Sequence, residues 1–108
     1  MVRLGKNRKQ YVARSVAWER GTQVCICDAD LYGKTVEGDG LQMHISTEYY
    51  GGDLVDGAEA LELIRRSEMA NLAGNVIVEE AIGAKLASEL AVRRIGGTAF
   101  LLIFRLSA

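Results

Sequence analysis

The chain has 108 residues, of which 49% are apolar and 25% charged. This length and composition suit one globular domain whose core needs no disulfides or bound metal for stability. No apolar run approaches the roughly 20 residues that span a bilayer, no secretory signal pattern opens the chain, and two cysteines are too few for a disulfide framework. We therefore expect a cytoplasmic protein with no membrane contact.

The net charge of −1 hides a division along the chain. Residues 1–20 carry six basic side chains and one acid, whereas residues 28–62 carry nine acids and one base. We predict a flexible basic arm over residues 1–9, followed by a single domain over residues 10–108. The arm's cations are Arg3, Lys6, Arg8 and Lys9. They serve either as an electrostatic contact for an acidic partner or as a solvated terminus that balances an acidic face.

The first predicted element of the domain is a β-hairpin. Alternating apolar residues predict a strand from Gln10 to Trp18, with Arg14 interrupting its apolar face, and therefore an edge position. A second strand follows over residues 22–28, in which Val24 and Ile26 point to one side and Gln23, Cys25 and Cys27 to the other.

The hairpin is followed by a turn and a third strand. Residues 28–33 are typical of one helical turn, which we expect Asp28 to cap and Gly33 to end. After a loop bracketed by Gly38 and Gly40, residues 41–46 alternate in polarity and predict a half-buried strand.

Two helices and an apolar strand complete the prediction. Asp56, with Glu59 three residues later, opens a helix near Gly57. A second helix is expected from Glu68 into the eighties. Its expected apolar stripe is Ala70, Gly74, Ile77, Val78, Ala81 and Ile82.

The C-terminal part predicts strand at residues 92–95 and 98–106, with Gly96-Gly97 as the turn or bulge between them. Because the last run is apolar on both sides, it is either a central strand or an edge buried against a second copy. The order β-β-β-α-α-β indicates an α+β fold, in which two helices cover one face of a mainly antiparallel sheet.

Two chemical motifs are incomplete. Gly33-Lys34-Thr35 matches the end of a phosphate-binding loop, but Asp28 stands where the motif needs its first glycine. Cys25 and Cys27 share a strand face that His44 reaches if the second and third strands pair, yet a zinc site needs a fourth ligand. We interpret the cysteines as buried apolar residues and expect neither a metal nor a cofactor.

The most specific local feature is Tyr49-Tyr50-Gly51-Gly52. Two aromatic rings beside two glycines place stacking surfaces next to backbone that a ligand can approach, with Lys34 or the basic arm supplying charge. The alternative is that one tyrosine packs under the loop while the glycines form a turn. Asn71 is expected inside the second helix. Its side-chain amide either connects that helix to the tyrosine loop by hydrogen bonds or binds a ligand there.

A set of segments with these spacings resembles one known family. The segments are Asp28, Leu31-Tyr32-Gly33-Lys34, Tyr50-Gly51-Gly52, Asn71-Leu72-Ala73-Gly74 and Arg94-Ile95-Gly96-Gly97. The chain is similar over about residues 10–98 to the archaeal domain-of-unknown-function family 424. The resemblance implies an archaeal cytoplasmic protein with a two-layer α+β fold, and its gene neighbourhood points towards the translation apparatus. It implies no activity, cofactor or catalytic residue.

This chain departs from the family pattern after Ile95-Gly96-Gly97. Similar members continue with a Pro-His pair, whereas Thr98-Ala99-Phe100 stands here, and this shifts the expectation from catalysis to binding. Our leading hypothesis is a non-enzymatic binding module for RNA or a translation protein. The alternatives are a small enzyme with a site around Lys34, Tyr50 and Asn71, and an oligomeric interaction subunit whose C-terminal strand forms a homodimer or partner interface.

Overall fold

A computed structural model describes residues 9–105 of the chain. The eight strands are β1 (Lys9–Trp18), β2 (Gly21–Asp28), β3 (Thr35–Gly38), β4 (Leu41–His44), β5 (Asp53–Asp56), β6 (Met69–Ala73), β7 (Arg93–Ile95) and β8 (Thr98–Phe104). The α-helices are α1 (Thr47–Tyr50), α2 (Gly57–Arg66) and α3 (Asn75–Gly83), and 3₁₀ turns cover Ala29–Leu31 and Glu89–Ala91. The predicted basic arm lies outside the described residues, except that Lys9 begins β1.

Six strands form one mixed sheet in the order β5-β1-β2-β6-β8-β7. All neighbours in it are antiparallel except β2 and β6, which are parallel. The predicted α+β class is confirmed, and so are the β1–β2 hairpin and the turn at Gly96-Gly97. The predicted edge position of the first strand is wrong, because β5 pairs with Lys9–Ala13 on the outer side of β1.

The two faces of this sheet are covered differently. On the helix face, Val24, Ile26 and Leu72 pack with residues of α2 and α3 in the main core. The opposite face, here called the hairpin face, is covered in part by the β3–β4 hairpin, by α1 and by the first 3₁₀ turn. Cys25 and Cys27 lie on this second face, as the period of two predicts.

The predicted helix from Glu68 is wrong over its first third. Residues Met69–Ala73 form strand β6, in which Ala70 and Leu72 are buried on the helix face and Asn71 lies on the other. The helix starts only at Asn75, after Gly74 turns the chain with φ of 125°. A spacing of four, such as that from Ala70 to Gly74, keeps side chains on one face of either a strand or a helix, so only the pairing with β2 and β8 decides this segment.

Asp28 caps a different helix from the one predicted. Its carboxylate makes no bond to the 3₁₀ turn that follows it. It accepts instead from the backbone N–H groups of Val76 and Ile77 at 3.0 and 2.9 Å, at the start of α3. The predicted cap of α2 is confirmed, because Asp56 Oδ1 accepts from the Glu59 N–H at 2.8 Å.

The predicted third strand lies outside the main sheet. Residues Leu41–His44 pair with Thr35–Gly38 as a separate two-stranded hairpin whose β4 side chains are exposed, so the expected half-buried face is wrong. Gly38 and Gly96 hold this hairpin close to the β7–β8 turn, since a β-carbon on Gly38 would overlap the backbone of Gly96. The hairpin therefore closes one end of the hairpin face without joining the sheet.

Candidate ligand-binding site

The two tyrosines of the predicted loop lie on the short helix α1. Ser46 begins this helix, and its Oγ accepts from the backbone N–H groups of Glu48 and Tyr49 at 3.1 and 3.2 Å. Tyr50 points inwards and is 6% exposed, whereas Tyr49 is 42% exposed. Their rings meet edge to face with centroids 5.2 Å apart. One ring is therefore anchored in the core and supports the other at the surface.

Asn71 on β6 connects both tyrosines to the sheet. Its Oδ1 accepts from Tyr50 Oη at 3.3 Å, and its Nδ2 donates to Tyr49 Oη at 3.1 Å. Gln23 Nε2, on the neighbouring strand β2, donates to the same Tyr49 oxygen at 3.1 Å. The predicted link between Asn71 and the tyrosines thus exists, although it runs from a strand and not from a helix.

Asn71 retains hydrogen-bonding capacity after these contacts. A side-chain amide has two N–H donors and two lone pairs on its oxygen. One donor and one acceptor are used by Tyr49 and Tyr50. The remaining N–H and lone pair are available to a ligand, and the two tyrosines fix the orientation in which they are presented.

These groups line an open pocket of about 370 Å³ on the hairpin face. It lies between the end of β4, the helix α1 and strands β6, β7 and β8. Its lining residues are Met43, His44, Ser46, Tyr49, Tyr50, Asn71, Arg93, Phe100, Leu101 and Leu102. The floor is apolar and the rim carries an aromatic ring, an amide, an imidazole and a guanidinium, which is the composition typical of a ligand site.

The charges around the pocket are of one sign. Arg93 lines it, and none of the lining residues within residues 9–105 carries a carboxylate. The described ion pairs involve Arg65, Arg66 and Arg94, so Arg93 is not neutralised by any of them. Glu48, which directly precedes the lining residue Tyr49, is an acid with an exposed side chain on α1. The backbone oxygen of Glu48 accepts a hydrogen bond from the Arg14 guanidinium. The pocket itself therefore favours an anionic or neutral ligand.

The acidic groups in this region are held protonated. Burial raises the pKa values of the Tyr49 and Tyr50 hydroxyls and of the Cys25 thiol beside them. Burial also raises the pKa of the Cys27 thiol to about 12, with the charge of Asp28 adding to the effect. At neutral pH these groups are hydrogen-bonding partners and not nucleophiles.

The structure brings together three of the predicted site residues and separates the others from them. Tyr49, Tyr50 and Asn71 line the pocket, but Lys34 does not. Lys34 joins the 3₁₀ turn to β3, and its backbone oxygen accepts from the Ile45 N–H. Gly51 and Gly52 serve close packing, because β-carbons there would overlap Thr47 O and Ala13 O respectively.

The arrangement of Cys25, Cys27 and His44 that would arise if the second and third predicted strands paired does not form in the described part of the chain. Cys25 and Cys27 are buried, whereas His44 lies on the exposed hairpin, where its Nδ1 is 3.0 Å from Thr35 Oγ1. Within residues 9–105 no group of three potential ligands is close enough to hold a metal ion.

Of the lining residues, only Tyr49, Tyr50 and Asn71 were predicted as site residues from the sequence, and Arg93 and Leu102 are among those that were missed. Arg93 and Leu102 come from the last two strands and reach the pocket because β7, β8 and β6 are neighbours. Because successive side chains of a strand point to opposite faces, Arg93 and Arg94 place one guanidinium on each face of the sheet. This alternation could have predicted that one of the two arginines lies on the hairpin face. The sequence could not show on which face a pocket would form, because this depends on where the β3–β4 hairpin packs.

None of the helices within residues 9–105 is long and apolar enough to cross a membrane. Comparison with known proteins gives a family match and a fold. The family model described as "Protein of unknown function (DUF424)" matches residues 19–106. The crystal structure of an uncharacterized conserved protein from Methanopyrus kandleri is similar at 21% identity and a TM-score of 0.72, over 91% of this chain and 95% of that one. No curated protein matches this chain.

Proposed function

This chain belongs to the DUF424 family of proteins of unknown function, and we propose that it is a non-enzymatic module that binds single-stranded RNA in the pocket beside Tyr49. The observation that carries the proposal is that the exposed Tyr49 ring and Arg93 line one pocket, in which none of the described lining residues carries a carboxylate. A base would stack on the ring while the guanidinium contacts its phosphate.

The hydrogen-bonding groups support a base as the occupant. Asn71 has one N–H and one lone pair outside its bonds to the tyrosines, and a nucleobase edge carries both acceptors and donors for such groups. Phe100 and Leu102 provide an apolar floor for the ring of the base. Double-stranded RNA does not expose its bases in this way, and an unpaired segment is therefore the substrate class that fits.

The same groups argue for binding and against catalysis. The raised pKa values of Cys25, Tyr49 and Tyr50 leave the centre of the site without an ionised nucleophile at neutral pH. Lys34, which the enzyme alternative needs, is not among the pocket residues. Association with the translation apparatus is part of the same proposal, as are the cytoplasmic location and the electrostatic role of the basic arm.

The proposal is tested by RNA binding across a salt series. A fluorescein-labelled oligouridylate is titrated with the full chain, and fluorescence anisotropy gives the affinity at each salt concentration. We expect Arg93→Gln to weaken binding and to reduce the slope of log affinity against log salt by about 0.7, the value for one phosphate contact of a single strand. Tyr49→Leu is expected to weaken binding about tenfold, the effect of losing one base–aromatic stack.

Matched controls come from neighbouring positions. Arg94→Gln removes the adjacent guanidinium, which pairs with Glu89 and does not line the pocket. Tyr32→Leu removes an exposed tyrosine outside it. Equal effects of Arg93→Gln and Arg94→Gln, or an affinity independent of Tyr49, contradict the proposal. Deletion of residues 1–8 tests the arm separately, with a smaller salt slope as the expected result.

A further inference from the structure

Beyond the pocket, a part of the hairpin face is covered by none of the elements within residues 9–105 and carries exposed apolar side chains. We call it the open patch, and its residues are Val16, Trp18, Gln23, Met69, Leu102 and Phe104. Leu102 and Phe104 are each 56% exposed, Val16 is 40% exposed and Trp18 is 36% exposed. The β3–β4 hairpin and α1 cover only the other end of the face, above Cys27 and Ala73.

The strand register places these side chains side by side. Phe104 is opposite Met69, Met69 is opposite Gln23, and Gln23 is opposite Val16. The row therefore crosses four neighbouring strands, about 14 Å in width at the usual strand spacing. Leu102 is the neighbour of Phe104 on the same face of β8, and it belongs to both the open patch and the pocket. The patch and the pocket form one continuous surface.

The acids of the sheet strands do not lie on the hairpin face. The strands of the six-stranded sheet contain three acids, Asp28, Asp53 and Asp56. Asp28 and Asp56 cap α3 and α2 on the helix face, and Asp53 is opposite Ala13, whose side chain is in the helix-face core. None of the three points to the hairpin face.

Two cations, Arg14 and Arg93, lie on the hairpin face, whereas Arg94 is opposite Ala99 on the helix face. Arg14 is opposite Cys25, and Arg93 is opposite Phe100, and both of these partners lie on the hairpin face. The carboxylate of Glu68, which lies beside Gly21 opposite Trp18, accepts from the Thr22 N–H at 2.7 Å. An aromatic surface with cations is complementary to a polyanion with apolar faces. A single-stranded nucleic acid has this chemistry.

We infer that the open patch carries the nucleotides that flank the one in the pocket, with one base stacked on Phe104 and another on Trp18. This rests on the function proposed above and names its substrate more closely as a run of several unpaired nucleotides. The exposed rings of a sheet stack successive bases because each base offers a flat apolar face whatever its identity. The patch would therefore increase the number of nucleotides that bind and add little preference for particular bases.

Trp18 is the chain's single tryptophan and makes the inference measurable. Intrinsic fluorescence is recorded while the full chain is titrated with uridine monophosphate, and then with unlabelled oligouridylates of about 4 to 16 nucleotides, the range of known single-strand site sizes. We expect no change with the mononucleotide and quenching once the strand is long enough to reach Trp18. Phe104→Leu is expected to weaken the longer ligands about tenfold and to leave the mononucleotide unaffected.

The controls separate this inference from the proposed function. Leu90→Ala, at a side chain that is 96% exposed and outside the patch, should change neither measurement. If oligouridylates bind in an Arg93-dependent way but Trp18 fluorescence and the Phe104→Leu affinities do not depend on length, the inference is overturned and the pocket stands. If no RNA binds at all, both fail.

Self-association is the competing use of the same surface. Within residues 9–105, Leu101–Phe104 have no strand partner on the β7 side, because β7 pairs only with Thr98–Phe100. Sedimentation of the wild type and of Phe104→Leu is therefore measured with and without RNA. A dimer that depends on Phe104 and that RNA does not dissociate overturns the inference in favour of a second copy of this chain.

Discussion

The carboxylate of Asp28 occupies the space that a β-carbon on Gly74 would need. Asp28 ends β2 and Gly74 follows β6, and because these strands are parallel and adjacent, the two residues meet at the same end of the sheet. Gly74 has φ of 125°, which directs the chain into α3, and the carboxylate then accepts from the first N–H groups of that helix. One contact thus fixes a strand pair and the start of a helix.

Replacement of Gly74 by alanine should destabilise the fold strongly. The left-handed backbone costs about 1–3 kcal/mol for a residue other than glycine, and the new methyl group displaces a carboxylate that is 7% exposed. We expect the free energy of unfolding in urea to fall by about 2 kcal/mol or more.

Gly83→Ala is the matched control for this prediction. Gly83 is in α3, and a β-carbon there meets nothing within 4 Å. Alanine should leave the stability unchanged or raise it by up to about 1 kcal/mol. Similar losses in both variants would argue against the contact between Asp28 and Gly74.

Gly96→Ala should loosen the pocket without unfolding the sheet. A β-carbon on Gly96 would overlap Glu37 O and would push the β3–β4 hairpin, which carries Met43 and His44, away from the β7–β8 turn. Gly97→Ala imposes similar backbone strain, with φ of 89°, but its β-carbon meets open space. We expect both variants to lose stability and only Gly96→Ala to lose additional affinity for oligouridylate, measured by anisotropy.

Cys27 should make stability depend on pH in the alkaline range. Burial raises the pKa of its thiol to about 12, whereas a thiol in an unfolded chain has a pKa of about 8.5. Between these values the unfolded state releases a proton that the native state keeps, so stability falls as the pH rises.

The Cys27→Ala variant isolates this effect. The wild-type advantage over the variant in unfolding free energy should decrease by about 1.4 kcal/mol per pH unit above about pH 8.5. Cys25 and the tyrosines are present in both proteins, so their contributions cancel. Parallel stability curves for the two proteins would show that the Cys27 thiol ionises equally in both states.

Asn71→Ala should destabilise the protein by leaving Tyr50 without its hydrogen-bond partner. Tyr50 is 6% exposed, and an unsatisfied buried hydroxyl costs about 1–3 kcal/mol. Because the cost arises from the orphaned hydroxyl, Tyr50→Phe should be much less damaging in the Asn71→Ala background than in the wild type. A double-mutant cycle in urea measures this coupling, and additive effects would contradict it.

The sequence by itself determined the elements whose signals lie within a few residues. Alternation along β1 and β2 assigned Cys25 and Cys27 to one face and Val24 and Ile26 to the other, as found. The Asp56–Glu59 spacing placed the start of α2, and Gly96-Gly97 placed the last turn. Such patterns depend on strand periodicity and on local backbone bonds, which neighbouring residues specify.

The tertiary structure decided the contacts between residues far apart in the chain. Asp28 and Ile77 are separated by 49 positions, and Asn71 and Tyr50 by 21. A short apolar segment such as Met69–Ala73 becomes a strand only because β2 and β8 are present to pair with it. The candidate site also depends on such long-range contacts. Tyr49 could be predicted as a site residue from the sequence, but Arg93 and Leu102 lie beside it only because the sheet order places their strands next to β6.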